Sequence, residues 1–180
     1  MQSIKRKINM PRSASWSLLQ KPVIESLLEL SDCVVRIAFS DDESCFAAIG
    51  PHVRHSLDYY HALKVGASTG VIDYNVRRRG GAVERSAASA LSDIANLLVW
   101  LRTEQIDEKP VQVLAEYGSV SQSIGEFSSS LLREMLHVIE HTIHHTAFIV
   151  SIAASRGISL DDQAGVAAAT RSFRRRALLN

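Results

Sequence analysis

The chain has 180 residues, 46% apolar and 22% charged, with a formal net charge of +1 at pH 7. That balance fits one soluble globular domain with a real core, and nothing global in it points to nucleic acid or to a membrane. Two cysteines, Cys33 and Cys45, make no disulfide framework, and no apolar run of about eighteen residues predicts a membrane span. Free thiols point to a cytoplasmic protein, and the basic N-terminus lacks the apolar stretch of a secretory signal.

Residues 1–15 are polar, contain Pro11 and are expected to be a loosely ordered lead-in, with residues 16–180 forming a single domain. Apolar residues from Val23 through Leu27, Leu30, Val34 and Ile37 follow helical spacing, so a first helix is expected over 17–38, with Pro22 in its first turn. Ser40-Asp41-Asp42-Glu43 has the form of a capping box and predicts a second helix from there to about Val65. Pro51 removes one hydrogen bond inside it, and Gly66 and Gly70 are expected to end it.

The segment from Gly66 to Gly81 reads as a loop carrying Asp73, Tyr74, Arg77 and Arg79. A third helix is expected over 82–103, with Leu91, Ile94, Leu97, Leu98 and Leu101 on its apolar face. After Lys109-Pro110, partial alternation on either side of Gly118-Ser119 suggests a short β-hairpin. Serines 128–130 offer a cap for a fourth helix over 129–156, which Gly157 stops. The tail after it is partly helical in pattern. Four long helices with inward apolar faces predict an all-α fold, an antiparallel four-helix bundle, with the hairpin between its third and fourth helices.

The seven histidines fall in two short segments, His52, His55 and His61 in one and His137, His141, His144 and His145 in the other. In the expected fourth helix, His137, His141 and His145 stand at i, i+4 and i+8 on one face. A core-facing row of imidazoles is costly unless its nitrogens find partners, and one metal ion satisfies several together. Spacing alone leaves the ligands open. His137 with His141, His141 with His145 and His141 with His144 are all possible pairs, and His52 and His55 are alternatives on the second helix. Glu134, two turns before His141, is a candidate acceptor or base. Arg77 or Arg79 could hold an anion if their loop folds over the site, and Glu84 could pair with either. The basic runs Lys5-Arg6-Lys7 and Arg174-Arg175-Arg176 read as solvated tails.

Three segments carry a family resemblance: Ile49-Gly50-Pro51-His52-Val53, the stretch from Ile72 to Gly80, and His141-Thr142-Ile143-His144-His145. Over roughly residues 20–160 they resemble the DinB-like superfamily, which includes proteins of the YfiT type. Tyr59 stands where one bacterial subgroup has histidine. The resemblance implies a helical bundle with a divalent transition metal (zinc, nickel, iron or manganese) on His52, His141 and His145. It leaves His55 and His137 as substitutes. It further implies a homodimer, and an enzyme that transfers a low-molecular-weight thiol to an electrophile or acts as a hydrolase. The metal would bind and deprotonate the thiol. The competing expectation is a non-enzymatic, stress-associated bundle whose metal is structural or sensory. A nucleic-acid partner is disfavoured by the near-neutral charge.

Overall fold

The computed structural model describes residues 14–118 and 123–177. Six helices and three strands lie among them: α1 Ala14–Ala38, α2 Glu43–Thr69, β1 Val71–Asp73, α3 Ala82–Arg85, α4 Ala87–Thr103, β2 Pro110–Glu116, β3 Ile124–Ser130, α5 Leu131–Ser155 and α6 Ala168–Ala177. The expected lead-in and the basic run at residues 5–7 lie outside or at the margin of the described residues.

This architecture corrects the all-α four-helix bundle. Helices α1, α2, α4 and α5 do bury their apolar faces together, but a three-stranded sheet of order β1-β2-β3 makes the molecule mixed α/β. β2 and β3 are the two arms of the hairpin, antiparallel from Pro110 opposite Ser130 to Glu116 opposite Ile124. β1 pairs parallel with β2, Val71 opposite Gln112 and Asp73 opposite Leu114. A parallel pair needs a crossover connection, and α3 and α4 supply it.

The element ends follow local chemistry. Asp42, rather than Ser40, caps α2 by accepting from the Ser44 backbone N–H at 3.0 Å. Gly66 does not end the helix. It stays inside α2, where a Cβ would lie 2.1 Å from Ile72 Cγ1, so its missing side chain lets β1 lie against the helix. The helix stops at Gly70, which takes the left-handed φ of 82° that glycine adopts at little cost. The expected third helix is two helices. Ser86 turns extended between them and caps α4 by accepting from the Ser89 backbone N–H. Gly50 allows α3 to touch α2, since a Cβ there would meet the Glu84 carbonyl oxygen at 2.0 Å. Ser130 caps α5, accepting from the Arg133 backbone N–H.

The core runs between the main helices through Leu27, Leu30, Ile49, Leu57, Ile94 and Met135. Cys33 and Cys45 are both free and buried. Burial pushes the Cys33 thiol up to about 12, which keeps it protonated and unreactive. No helix among the described residues is long and apolar enough to cross a membrane.

Candidate metal centre

The histidine row on α5 faces α2. His141 and His145 lie one turn apart with ring centroids 4.6 Å from each other, and His55 of α2 reaches both, at 4.9 and 4.7 Å. In this trio one nitrogen from each residue can be chosen so that all three lie within 4.8 Å of one another, close enough to converge on a single ion. His55, His141 and His145 therefore form a group that could hold a metal.

His52 stands one step to the side. Its Nδ1 is 3.0 Å from Nδ1 of His145, and its ring stacks on Phe148 at 5.4 Å. That contact engages one nitrogen of His145 and leaves the other free. His137 is half-buried, 5.9 Å from His141 and edge-on to Tyr74 at 5.6 Å, outside the close trio. His144 is exposed and meets Phe148 edge-on. His61 is occupied elsewhere, its Nε2 lying 2.9 and 3.0 Å from the two carboxylate oxygens of Asp93.

The imidazoles of the centre are held neutral. Burial first, then the charge of Arg77, pushes His55 down to about 4. Burial and the neighbouring histidines push His141 and His145 down to about 3. Burial likewise lowers His52 and His137. Neutral imidazole is the form that ligates metals. One atom is also conspicuous for what it lacks: Nε2 of His141 is buried and has no hydrogen-bond partner. An orphaned buried nitrogen is costly, and a cation at the centre would satisfy it. The donor set therefore fits a transition-metal ion.

A column of side chains backs His141. Tyr59 stacks on its ring at 3.9 Å and 14°, and Tyr74 stacks on Tyr59 at 4.4 Å. The Tyr74 hydroxyl donates to Glu134 Oε2 at 2.9 Å, and burial and that carboxylate raise its pKa well above the usual range. Glu134 is buried and also accepts from Ser129 and Arg133. Its place is at the foot of the column, holding Tyr74, rather than against a ligand ring. The sequence marked Glu134 by spacing; Tyr59 and Tyr74 as spacers could have been suspected because Tyr59 lies one turn beyond His55.

The loop after β1 is fastened by charge. Arg54, 7% exposed, pairs with Asp58 at 3.2 Å and with Glu84 at 3.2 Å. Arg78 donates through Nε to Asp58 at 2.6 Å and through Nη1 to Asp93 at 3.0 Å. Glu84 thus pairs with Arg54 rather than with Arg77 or Arg79. With Arg78 anchored, Arg77 is carried over the centre. Its Nη1 donates to Nδ1 of His55 and lies 3.4 Å from Nε2. Its guanidinium also sits over the Tyr59 ring, 5.7 Å from the centroid. Arginine has donors only, so His55 must present a lone pair to it. A cavity of about 300 Å³ opens onto the centre, lined by His52, His55, His145, Arg54, Arg77 and Arg79.

No family model, no curated protein and no solved structure matches this chain. The functional reading accordingly rests on the geometry of these side chains.

Proposed function

We propose that this protein is a metal-dependent enzyme whose divalent transition-metal ion is held by His55, His141 and His145, with His52 orienting His145. The observation that carries the reading is that one nitrogen each from His55, His141 and His145 lies within 4.8 Å of the others, in a group where Nε2 of His141 is buried and has no hydrogen-bond partner. Three protein ligands leave coordination positions free, as in catalytic rather than structural zinc sites. Access through the adjoining cavity favours an enzyme over a purely structural pin. When bound, such an ion supplies Lewis-acid activation of a thiol or a water molecule. The protein's own residues do the rest. Tyr59 and Phe148 fix the ring planes of His141 and His52. Loading His55 requires Arg77 to withdraw from its ring nitrogen. The reaction class that best suits this site is transfer of a low-molecular-weight thiol to an electrophile, or hydrolysis, in line with the DinB-like resemblance. The homodimer belongs to the same resemblance.

A second ligand set, His52 with His141 and His145, is favoured by one distance. Two nitrogens bound to one ion at zinc-like bond lengths stand about 2.9–3.4 Å apart, and His52 and His145 already stand 3.0 Å apart. Metal content of protein purified without added metal, measured by elemental analysis, tests both sets. The wild type is expected to carry close to one equivalent and His141→Ala/His145→Ala close to none. Loss in His55→Ala with retention in His52→Ala selects the first set, and the reverse selects the second. Equal metal load in all variants refutes the centre. Thiol-dependent turnover of a chromogenic electrophile, abolished by chelator, tests the chemistry; turnover that is absent across a broad panel points to the structural or sensory role.

A further inference from the structure

Three consecutive arginines follow β1, and the fold treats them differently. Arg78 is held by Asp58 and Asp93. Arg77 and Arg79 take part in no ion pair among the described residues, although Arg77 is half-buried. The cavity they line contains no carboxylate at all. Arg54 lines it too, but Asp58 and Glu84 balance its charge. Arg77 instead meets an imidazole and an aromatic face, neither of which carries a negative charge. A guanidinium taken partly out of water beside a row of neutral histidines is an unbalanced positive charge, and a divalent ion added next to it would increase the imbalance. Nor does the neighbouring hairpin relieve it. Arg77 also lines a second cavity of about 330 Å³, between Tyr59, Tyr74 and Tyr117, and Glu116 on that wall forms no ion pair with it.

We infer that Arg77, assisted by Arg79, is the binding site for an oxyanion, a carboxylate or phosphate group of the substrate, which sets the rest of that substrate over His55, His141 and His145. This takes the metal centre proposed above as its setting, but the anion contact belongs to Arg77 itself. Guanidinium offers two parallel N–H donors in the plane that carboxylate and phosphate both accept. The anion also draws Arg77 away from His55, freeing that ring nitrogen. Arg77 stands where the histidine cavity and the hairpin cavity meet, so a substrate anchored there can extend into either.

The test uses chelator-treated full-length protein, titrated separately with inorganic phosphate and with succinate by calorimetry. Wild type is expected to bind at least one of them saturably. Arg77→Ala should weaken that binding by ~10-fold or more. Arg77→Lys, which keeps the charge and loses the fork, should fall between, and Arg79→Ala should cost less. Preference for phosphate or for succinate tells which class of substrate the site takes. Binding that is absent in wild type, or equal in wild type and Arg77→Ala, overturns the inference. Metal content of Arg77→Ala keeps the two proposals apart: wild-type metal with lost anion binding supports both. Anion binding that appears only with metal and survives Arg77→Ala overturns the arginine site while leaving the metal centre standing. Anion binding lost in Arg77→Ala when no protein carries metal supports the arginine site alone.

Discussion

Helix α2 carries two polar faces that solve the same problem in opposite ways. Arg54 and Asp58 are buried, and every charge on that side ends on an opposite one: Arg54 on Asp58 and Glu84, Asp58 on Arg78, Arg78 on Asp93. On the side facing α5, His52, His55, His141 and His145 have only each other, aromatic rings and a cationic arginine. One side is charge-balanced and fastens the loop, although Nη2 of Arg78 is buried there without a hydrogen-bond partner. The other has no carboxylate lining its cavity, and its buried orphan, Nε2 of His141, is an imidazole nitrogen that a cation can satisfy. The difference separates framework from site, because a guanidinium has donors only and cannot hold a cation, whereas a neutral imidazole nitrogen can.

The largest effect is expected from breaking the charge-balanced side. Asp58→Ala strips a carboxylate from both Arg54 and Arg78 and leaves a buried guanidinium short of its partner. Breaking a buried pair from one side costs about 3–5 kcal/mol. Denaturant unfolding should show a midpoint lowered accordingly, with Arg77 released from its place because Arg78 no longer anchors the loop. If Asp58→Ala unfolds like the wild type, the network is not what holds the loop.

Much of this contrast was legible in the residues, and its limits have physical causes. The α5 face was readable because His137, His141 and His145 repeat with the helix period. Which α2 histidine joins it was not. His52 and His55 are three positions apart, about 60° around the helix, so both can reach α5. The DinB-like resemblance selected His52, which lies 3.0 Å from His145, while the three histidines whose nitrogens lie within 4.8 Å of one another include His55. Arg77, Arg78 and Arg79 are the same residue type in sequence. Only the fold separates them, by bringing Asp58 and Asp93 to the middle one. The four main helices follow apolar spacing, but β1 is three residues with one buried side chain, too short for alternation to announce it. The four-helix bundle failed for that reason: once β1 is missed, the hairpin looks like an isolated ornament rather than two thirds of a sheet. The break at Ser86 was hidden because apolar spacing continues across it.

Acid should separate the two faces of metal-free protein by the pH at which each weakens. The depressed histidines lie at about 4 for His55 and about 3 for His141 and His145, against an ordinary 6.5. Below pH 6.5 the unfolded chain therefore takes up protons that the folded one refuses, and stability falls as pH drops from there toward 3. On the network side, hydrogen bonding from the Gly80 N–H and Arg54 outweighs burial and holds Glu84 below its ordinary 4.5. For Asp93, burial pushes upward but is outweighed by His61 and Arg78, which hold it below its ordinary 3.8. Carboxylates lowered in this way stabilise the fold above their unfolded pKa and lose that contribution only in more acidic solution. Thermal melts of chelator-treated protein between pH 7 and pH 5 should thus show a falling Tm in wild type and a flatter profile in His141→Ala/His145→Ala. Parallel profiles would mean that the α5 imidazoles are not held neutral by the fold.

The smallest effect is expected at His144, which decides how far helical spacing can be trusted. It sits beside His145 in sequence and three residues after His141, so the sequence admits it as a ligand through an i, i+3 pair. In the fold it turns outward, exposed, with its ring edge against Phe148 at 4.8 Å and its centroid 5.4 Å from that of His145. It has no place in the trio whose nitrogens converge. His144→Ala should therefore leave metal content at the wild-type level and change stability by less than about 0.5 kcal/mol, as for a surface substitution. A loss of metal comparable to that of His141→Ala/His145→Ala would move the ligand pair to His141 and His144. The centre would then lie a quarter-turn away from Tyr59, Arg77 and the cavity, and both the enzyme reading and the oxyanion subsite would lose their geometry.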